Sequence, residues 1–326
     1  KGNFYHNTGE GGISPHHLEG GDLCWQIGTG YFGCRNEEGN FDAELFTKYS
    51  NLDNVKMIEI KLSQGAKPGH GGVLPAVKNT PEIAKIRHVP PGVTILSPPS
   101  HSAFSDAEGL LRFVQQLREL SGGKPVGFKL CIGDTKEFED ICEQMNILNI
   151  YPDFITIDGA EGGTGAAPPE FSDGVGMPLE PALIFVNRTL INYELRDKLR
   201  IIASGKVLTS LDILRAVAMG ADLCNNARGF MFSLGCIQAL RCNTNTCPTG
   251  VATQDKMLIK GLDTNDKTER VYQFHKNTLH TCNELIAAAG RESYDQVDAS
   301  MFMRGDEFEH LSDLYFPDIL ENVRKR

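Results

Sequence analysis

The feature that most constrains the fold of this chain is an alternation of short apolar runs with amphipathic helical patterns from residue 57 onward. Glycine, proline or charged residues bound each apolar run, as is typical of buried strands. The predicted strands are residues 57–62, 93–96, 126–131, 154–158, 199–203 and 222–225. The predicted helices are residues 106–120, 136–148, 181–198 and 210–219. Because such alternation builds a parallel sheet with crossover helices, we expect an α/β fold, a TIM-type (β/α)8 barrel whose first strand or two lie partly upstream.

The pattern changes after Cys247, where residues 264–289 predict one long helix that packs on the outside of the barrel. We therefore divide the chain into a barrel with its cysteine segment, residues 1–254, and a C-terminal helical extension, residues 255–326. The sequence opens at Lys1 and becomes glycine-rich almost at once. We expect N-terminal elements of the barrel to be missing from it.

The composition restricts the class of protein. The hydrophobic content of 40% and the charged content of 23% are ordinary for a globular protein. The net charge of −10 argues against a non-specific nucleic-acid binder. No apolar run reaches the length of a membrane span, and no signal-peptide pattern opens the chain. Nine unevenly spread cysteines favour a reducing, cytoplasmic location over a disulfide framework.

Three of these cysteines form a compact motif. Cys236, Cys242 and Cys247 have the spacing C-x5-C-x4-C, and Pro248 follows the third. Thiolates this close in a turn-rich segment suit an iron–sulfur cluster, and three ligands fit a three-iron cluster better than a four-iron one. Zinc would need a fourth ligand, and the segment contains no histidine. The alternative is a set of thiols without a metal.

Positively charged and glycine-rich segments follow several predicted strands, at the edge where active sites of such barrels lie. The segment from Lys61 to Gly72 combines two lysines with four glycines. Lys129 interrupts an otherwise apolar strand and would suit an anionic ring or a carboxylate at the barrel mouth. The alternative for the segment from Lys61 to Gly72 is a flexible turn with solvated lysines. Ser97 to Ser102 follows another predicted strand, and the alternative there is a rigid loop with His101 at the surface.

The last two predicted strands end in Ser204-Gly205-Lys206 and in the segment from Asn225 to Gly229. Loops at these positions form the usual phosphate site of such barrels, because backbone N–H groups there bind anions. A third glycine-rich loop, from Gly159 to Ala166, offers further backbone donors. The sequence therefore predicts a cofactor that carries a phosphate, and flavin mononucleotide (FMN) is the natural candidate beside an iron–sulfur cluster.

Together these motifs resemble the FMN-binding synthase domain of glutamate synthase. Five collinear blocks between residues 7 and 254 carry the resemblance: Asn7 to Gly12, Lys61 to Gly72, Ser97 to His101, Gly162 to Ala166, and Gly235 to Gln254. The last block is the most specific. The resemblance implies that reduced FMN transfers a hydride to 2-iminoglutarate, formed from 2-oxoglutarate and ammonia, to give L-glutamate. It also implies a 3Fe-4S cluster that passes electrons to FMN.

The resemblance also assigns roles by motif position. Lys67 and Glu10 would be catalytic groups, and Lys61 and Arg87 would bind the substrate. The cofactor residues would be Gln64 beside the flavin ring, Lys129 at its polar end, Gly205, Ala227 and Arg228 at the phosphate, and Gly162 and Gly163 in the glycine-rich loop. The cluster ligands would be Cys236, Cys242 and Cys247. The electron donor, a ferredoxin or a reductase subunit, stays open.

The sequence departs from the family pattern at two places. Val73 stands where the family usually has a glutamine of the substrate pocket, and Ala227-Arg228 replaces a Gly-Thr pair in the phosphate loop. No glutaminase segment with an N-terminal cysteine accompanies the motifs, so ammonia would come from solution or from a partner subunit. Two alternatives therefore remain. One is an N-substituted amino-acid synthase or a flavoenzyme acting on another acid, and the other is a non-catalytic electron-transfer subunit.

Overall fold

The computed structural model describes residues 2–163, 167–168 and 170–302. Seven parallel strands form one curled sheet in the order β1-β2-β3-β6-β7-β8-β9. These strands are β1 (His6–Asn7), β2 (Leu23–Ile27), β3 (Val55–Lys61), β6 (Val126–Leu130), β7 (Phe154–Asp158), β8 (Arg200–Ser204) and β9 (Leu223–Asn225). The two remaining strands, β4 (Val73–Leu74) and β5 (Ile95–Leu96), form a separate antiparallel ribbon.

Nine α-helices connect or follow the described strands. They are α1 (Ala43–Ser50), α2 (Pro81–Arg87), α3 (Ala107–Leu120), α4 (Thr135–Leu148), α5 (Leu179–Asn192), α6 (Ser210–Ala218), α7 (Arg228–Leu234), α8 (Lys256–Ile259) and α9 (Thr264–Ala288). Within the described residues, no helix is both long and apolar enough to cross a membrane. The α/β barrel prediction is confirmed, with seven parallel strands described.

Side chains bring the two edge strands of the curled sheet together. The Tyr5 hydroxyl, just before β1, donates a hydrogen bond of 2.7 Å to Oδ1 of Asn225, the last residue of β9. Nearby, the Phe4 and Phe230 rings lie 5.3 Å apart, centroid to centroid. The sheet therefore curls far enough for its first and last strands to meet through side chains.

The interior of the curled sheet is filled in layers, as in other barrels. The layer near the amino ends of the strands is apolar and contains Cys24, Phe154 and Ile202, with Tyr5 and Met57 packed against them. Gly127 belongs to this region because a Cβ atom there would lie 2.6 Å from carbon atoms of the Phe154 ring. The next layer is polar and is centred on Glu59, which accepts hydrogen bonds from side chains of three other strands, β1, β2 and β7.

The outer face of the sheet packs against helices whose apolar stripes are visible in the sequence. In α3, Leu110, Leu111, Val114 and Leu117 form such a stripe, and all four are buried. Asp106 caps this helix by accepting from Gly109 N at 2.7 Å. The predicted start of α6 is also confirmed, because Thr209 and Asp212 form a reciprocal capping box. Helix α9 packs against α6 and α7, with Cys282 and Ile286 buried beside Leu214.

Three predictions of secondary structure need correction. Residues 93–96 do not join the main sheet, because Ile95–Leu96 pairs antiparallel with Val73–Leu74. The helix predicted over 181–198 ends at Asn192, and a short 3-10 helix at Arg196–Lys198 follows a turn. The N-terminal region contains the strands β1 and β2 and the helix α1, none of which was predicted. The division at residue 254 stays a prediction, and residues 303–326 lie outside the described part.

Candidate active site

The parallel strands bring charged side chains to one edge of the barrel. Lys61, the last residue of β3, is the register partner of Lys129 in β6. Asp158 ends β7 and is paired in register with Ser204, the last residue of β8. Because side chains alternate between the two faces of a strand, these groups share the interior face at the carboxyl ends. Lys61 and Lys129, which were assigned separately to the substrate and to the flavin ring, therefore lie on neighbouring strands at the same edge.

Lys129 is held by a buried ion pair. Its Nζ atom lies 2.9 Å from Oδ2 of Asp158 and donates to the Ser63 carbonyl at 3.3 Å. Lys129 is only 8% exposed and Asp158 only 4%. Burial alone would lower the pKa of Lys129, but the carboxylates of Asp158, Glu59 and Glu10 outweigh burial and raise that pKa. The ammonium group therefore stays charged at the barrel mouth.

Asp158 is itself fully occupied. Oδ2 also accepts from the backbone N–H of Gly65 at 2.9 Å, and Oδ1 accepts from the Ser204 hydroxyl at 2.9 Å. The carboxylate thus joins three loops at the ends of β3, β7 and β8. Asp158 was not among the predicted site residues, although an aspartate at the end of an apolar strand is the signal that would have identified it.

Glu10 and Lys61 form a second charged group on the neighbouring side of the mouth. Lys61 Nζ lies 3.2 Å from Oε2 of Glu10 and donates to Oε1 of Gln64 at 3.0 Å. Burial lowers the pKa of Lys61, Glu10 opposes this effect, and the charge of Lys129 adds to it. For Glu10, burial would raise the pKa, but Lys61, Lys129 and Arg87 together lower it. Glu10 is therefore ionised among cations.

Arg87, at the end of α2, also lies near Glu10. Its guanidinium carbon stands 4.7 Å from the centroid of the Phe32 ring, and burial lowers its pKa while Glu10 opposes the shift. Lys67 lies on the glycine-rich loop, and its Nζ donates to the Gly71 carbonyl at 3.1 Å. The predicted substrate residues Lys61 and Arg87 thus share Glu10 as a neighbour, whereas Lys67 is held by its own loop.

His101 is not the surface histidine of the alternative interpretation. It is 6% exposed, with Nε2 at 3.0 Å from the Lys61 carbonyl and Nδ1 at 3.0 Å from the Tyr31 hydroxyl. Burial lowers its pKa, although the Lys61 carbonyl and Glu10 oppose the shift. His101 therefore fixes the backbone of Lys61 from behind the site.

A pocket lies at the loops that follow β7, β8 and β9. It is lined by Asp158, Glu161, Gly162, Gly163, Ser204, Gly205, Lys206, Val207, Asn225, Ala227 and Arg228. The three residues predicted at the phosphate, Gly205, Ala227 and Arg228, line this pocket, as do the predicted cofactor residues Gly162 and Gly163. The motif residues Thr164, Gly165 and Ala166 lie outside the described residues.

Glycines shape this pocket through close backbone approach. Gly205 has a φ of +132°, and a Cβ atom there would lie 3.1 Å from Gly159 N. A Cβ atom on Gly162 would lie 3.1 Å from the Cα atom of Gly205. Arg228 borders the same space and donates to the Gly163 carbonyl at 3.1 Å. The pocket therefore combines tight backbone turns with a guanidinium group, a donor set that suits a phosphate.

The cysteine segment follows α7 and contacts Lys78, which ends a short 3-10 helix just after β4. Lys78 Nζ donates to the carbonyls of Cys242, at 2.8 Å, and Ala252, at 3.3 Å. Burial raises the pKa of Cys247, but hydrogen bonds from Thr249, Ala252 and Val251 outweigh it and lower that pKa. Lys78 was not predicted as a neighbour of the cysteines because it lies 164 positions from Cys242 in the chain.

The three cysteines are not assembled into a metal site in the described part of the chain. No group of three or more histidine, cysteine, aspartate or glutamate side chains there lies close enough to hold a metal ion. Val73 also differs from a residue enclosed by a pocket, since it lies on the β4–β5 ribbon and is 62% exposed.

The chain matches known proteins over most of its length. Residues 2–292 match the family model described as the conserved region in glutamate synthase. The chain is 47% identical over 293 residues to the glutamate synthase large subunit-like protein YerD of Bacillus subtilis, covering 90% of this chain and 55% of that protein. It is 36% identical over 292 residues to the archaeal glutamate synthase (NADPH) of Methanocaldococcus jannaschii, covering 89% of this chain and 54% of that protein. The chain thus spans about half the length of these curated relatives.

A solved structure supports the fold alone. A double mutant of flavocytochrome b2 with sulfite bound aligns with a TM-score of 0.50 at 14% sequence identity, covering 91% of this chain and 59% of that chain. At this identity the likeness establishes a shared barrel architecture and no shared chemistry.

Proposed function

Because the chain belongs to the glutamate synthase family, we propose that it carries the synthase site of an FMN-dependent oxidoreductase that reduces 2-iminoglutarate to L-glutamate. The observation that supports this best is the pair of lysines at the strand ends, half-buried Lys61 and buried Lys129, together with the glycine-lined pocket that Asp158, the partner of Lys129, helps to line. One anionic cofactor and one anionic substrate can use the two cations separately. The relatives' names include glutamate synthase (NADPH), which supports the same reaction class.

The proposed FMN site uses the pocket for the phosphate and the barrel mouth for the flavin ring. Gly162, Gly163, Gly205, Ala227 and Arg228 would surround the phosphate. When bound, FMN would supply the hydride that an imine carbon accepts. Lys129, fixed by Asp158, would lie at the polar end of the ring, and Gln64, bound to Lys61, beside it. The chain's own part is to bind and orient, because its cations are already placed before any ligand enters.

The proposed substrate site uses Lys61 and Arg87. Ammonia and the ketone of 2-oxoglutarate condense with loss of water, and the resulting imine takes up a hydride on carbon and a proton on nitrogen. A dicarboxylate needs two cationic partners, and the Arg87 guanidinium can bind a carboxylate in bidentate fashion. Lys67 and Glu10 are the proposed catalytic groups. Lys67 can release the Gly71 carbonyl to hold or deliver a proton, and Glu10 keeps Lys61 oriented.

The function is tested by anaerobic incubation of the reduced, FMN-loaded protein with 2-oxoglutarate and ¹⁵N-labelled ammonium. We expect labelled L-glutamate in an amount equal to the flavin oxidised. Methylamine in place of ammonium separates the closest alternative, because an N-substituted amino-acid synthase would favour it and give N-methylglutamate. If flavin stays reduced with both amines, the imine-reductase proposal is wrong, and the electron-transfer alternative gains support.

We further propose that Cys236, Cys242 and Cys247 ligate a 3Fe-4S cluster. The donor set suits it, since thiolates are the usual ligands and backbone N–H groups already surround Cys247. The described arrangement does not gather the three thiols, so no electron-transfer step is derived through them. A ferredoxin or a reductase subunit is the proposed electron donor, and ammonia would come from solution or from a partner subunit.

Replacing Cys242 by Ser is expected to abolish iron binding, because a serine hydroxyl is a poor substitute for one of three thiolates. Iron analysis should fall from about three atoms per chain to near zero, and the paramagnetic signal of the oxidised protein should disappear. Cys142, buried in α4 away from this segment, gives the control Cys142→Ala, which should keep its iron. Stoichiometric zinc in the active wild-type protein would refute the cluster assignment.

Replacing Val73 by Gln is expected to tighten 2-oxoglutarate binding several-fold. The family's glutamine at this position is implied to contact the substrate, and one added hydrogen bond contributes about 0.5–1.5 kcal/mol. Val73→Leu adds volume without an amide and serves as the control. The half-saturating concentration of 2-oxoglutarate in the flavin reoxidation reaction is the measured quantity. Equal values for Val73→Gln and Val73→Leu would show that this ribbon position does not contact the substrate.

A further inference from the structure

One buried carboxylate inside the barrel has no part in the proposed reaction. Glu59, in the middle of β3, is 1% exposed. Its Oε1 atom accepts from Asn7 Nδ2 at 2.9 Å and from Gln26 Nε2 at 2.6 Å, and its Oε2 atom accepts from the Thr156 hydroxyl at 2.6 Å. The three donors come from β1, β2 and β7, and all of them are neutral.

The Glu59 carboxylate is satisfied by hydrogen bonds but has no cationic partner among the described ion pairs. Three donors satisfy both oxygens, which offsets much of the cost of removing a carboxylate from water. None of the ion pairs found among the described residues includes Glu59; the two that lie at the barrel mouth join Lys61 to Glu10 and Lys129 to Asp158. A neutral glutamine could form a comparable network, so the hydrogen bonds alone do not account for a negative charge at this place.

Two positive charges, Lys61 and Lys129, lie one layer closer to the barrel mouth than Glu59. Glu59 is paired in register with Gly127, and Lys61 with Lys129, so the two lysines stand two residues further along the same strands. Two residues correspond to about 6.6 Å of strand. Thr156, which donates to Glu59, is the register partner of Lys129 in β7. The carboxylate therefore lies directly beneath the cations of the mouth without touching them.

Charges at this separation in a barrel interior interact appreciably. The Coulomb energy of two unit charges falls only inversely with their distance, and a protein interior screens it less than water does. The raised pKa of Lys129 includes a contribution from Glu59. A negative charge below the flavin site opposes the positive charge of Lys129, because it disfavours the electron-rich reduced flavin.

We propose that Glu59 is a positioning residue whose buried negative charge keeps the Lys129 ammonium in place and sets the reduction potential of FMN bound at the barrel mouth. This inference rests on the proposed FMN site. By lowering the potential, Glu59 makes the reduced cofactor a stronger hydride donor toward an imine. Its effect is electrostatic and reaches the cofactor through the field inside the barrel, without contact.

The test compares Glu59→Gln with Thr156→Val in FMN-loaded protein. Glu59→Gln removes the charge but keeps the shape, whereas Thr156→Val keeps the charge and removes one hydrogen bond. The midpoint potential is measured by equilibration with a reference dye, and the melting temperature by calorimetry. We expect Glu59→Gln to favour reduced over oxidised FMN by about tenfold, which is about 30 mV for a two-electron couple. Thr156→Val should lower the melting temperature with little change in potential.

The outcomes separate the two proposals. If both variants shift the potential equally, or Glu59→Gln leaves it unchanged, Glu59 is only structural and the inference is wrong while the FMN site stands. If the wild type binds no FMN, the proposed function and this inference both fail. Should Glu59→Gln not fold, Gln26→Lys places a cation against Glu59 and should shift the potential in the same direction; an unchanged potential in that variant overturns the inference.

Discussion

Lys129→Met should destabilise the protein by about 3–5 kcal/mol and weaken FMN binding by about tenfold to a hundredfold. Stability is lost because Asp158, whose carboxylate lies 2.9 Å from the Lys129 ammonium in the wild type, would stay buried without a cation. The loss of affinity corresponds to one hydrogen bond from a charged donor, about 1.5–3 kcal/mol. Thermal unfolding and FMN fluorescence titration measure the two effects.

The double variant Lys129→Met/Asp158→Asn separates stability from cofactor binding. Removing both charges should restore most of the stability, since no uncompensated carboxylate remains, but FMN affinity should stay low. Recovery of FMN affinity in the double variant would contradict a direct role for Lys129.

The stabilising effect of Lys129 should also be independent of pH between about 6 and 9. A raised folded pKa contributes stability that is fully present below the unfolded pKa of about 10.4 and is lost as the pH rises through the folded value.

Gly205→Val is expected to reduce FMN affinity by about a hundredfold or more. The φ of +132° disfavours any side chain, and a Cβ atom would lie 3.1 Å from Gly159 N. The branched side chain would fill the space beside the loops that form the proposed phosphate site, and two lost hydrogen bonds to a charged group amount to about 3–6 kcal/mol. Strain should also lower the free energy of unfolding by about 1–3 kcal/mol.

A second glycine supplies the matched control. Gly290, after α9, has a φ of +69°, and no atom lies within 4 Å of a Cβ atom built there. Gly290→Val should therefore show a comparable backbone strain with unchanged FMN affinity. Equal FMN affinities for Gly205→Val and wild type would place the phosphate elsewhere.

The elements with strong local patterns were predictable from the sequence, and the elements defined by tertiary pairing were not. The apolar stripe of α3 and the strand at Phe154–Asp158 are where periodicity and bounding residues place them. Residues 93–96 looked like a barrel strand, but Ile95–Leu96 pairs with Val73–Leu74 instead. This pairing could not be predicted, because a two-residue ribbon has no sequence pattern of its own. Leu23–Ile27 escaped notice although every one of its residues is buried.

The candidate site was predictable to the extent that it depends on strand ends. Lys61 and Lys129 could be placed together because parallel strands end at one edge. Their partners could not be predicted, since the ion pairs with Glu10 and Asp158 join residues 51 and 29 positions away in the chain. Lys78 and its bond to Cys242, across 164 positions, escaped for the same reason.

A crystal structure of the protein with FMN and 2-oxoglutarate tests the central claim most directly. The account predicts the FMN phosphate between Gly162, Gly205 and Arg228, the polar end of the flavin ring within hydrogen-bond distance of Lys129 Nζ, and 2-oxoglutarate against Lys61 and Arg87. FMN bound at any other part of the barrel, or a flavin ring at the barrel mouth without contact to Lys129, would contradict it.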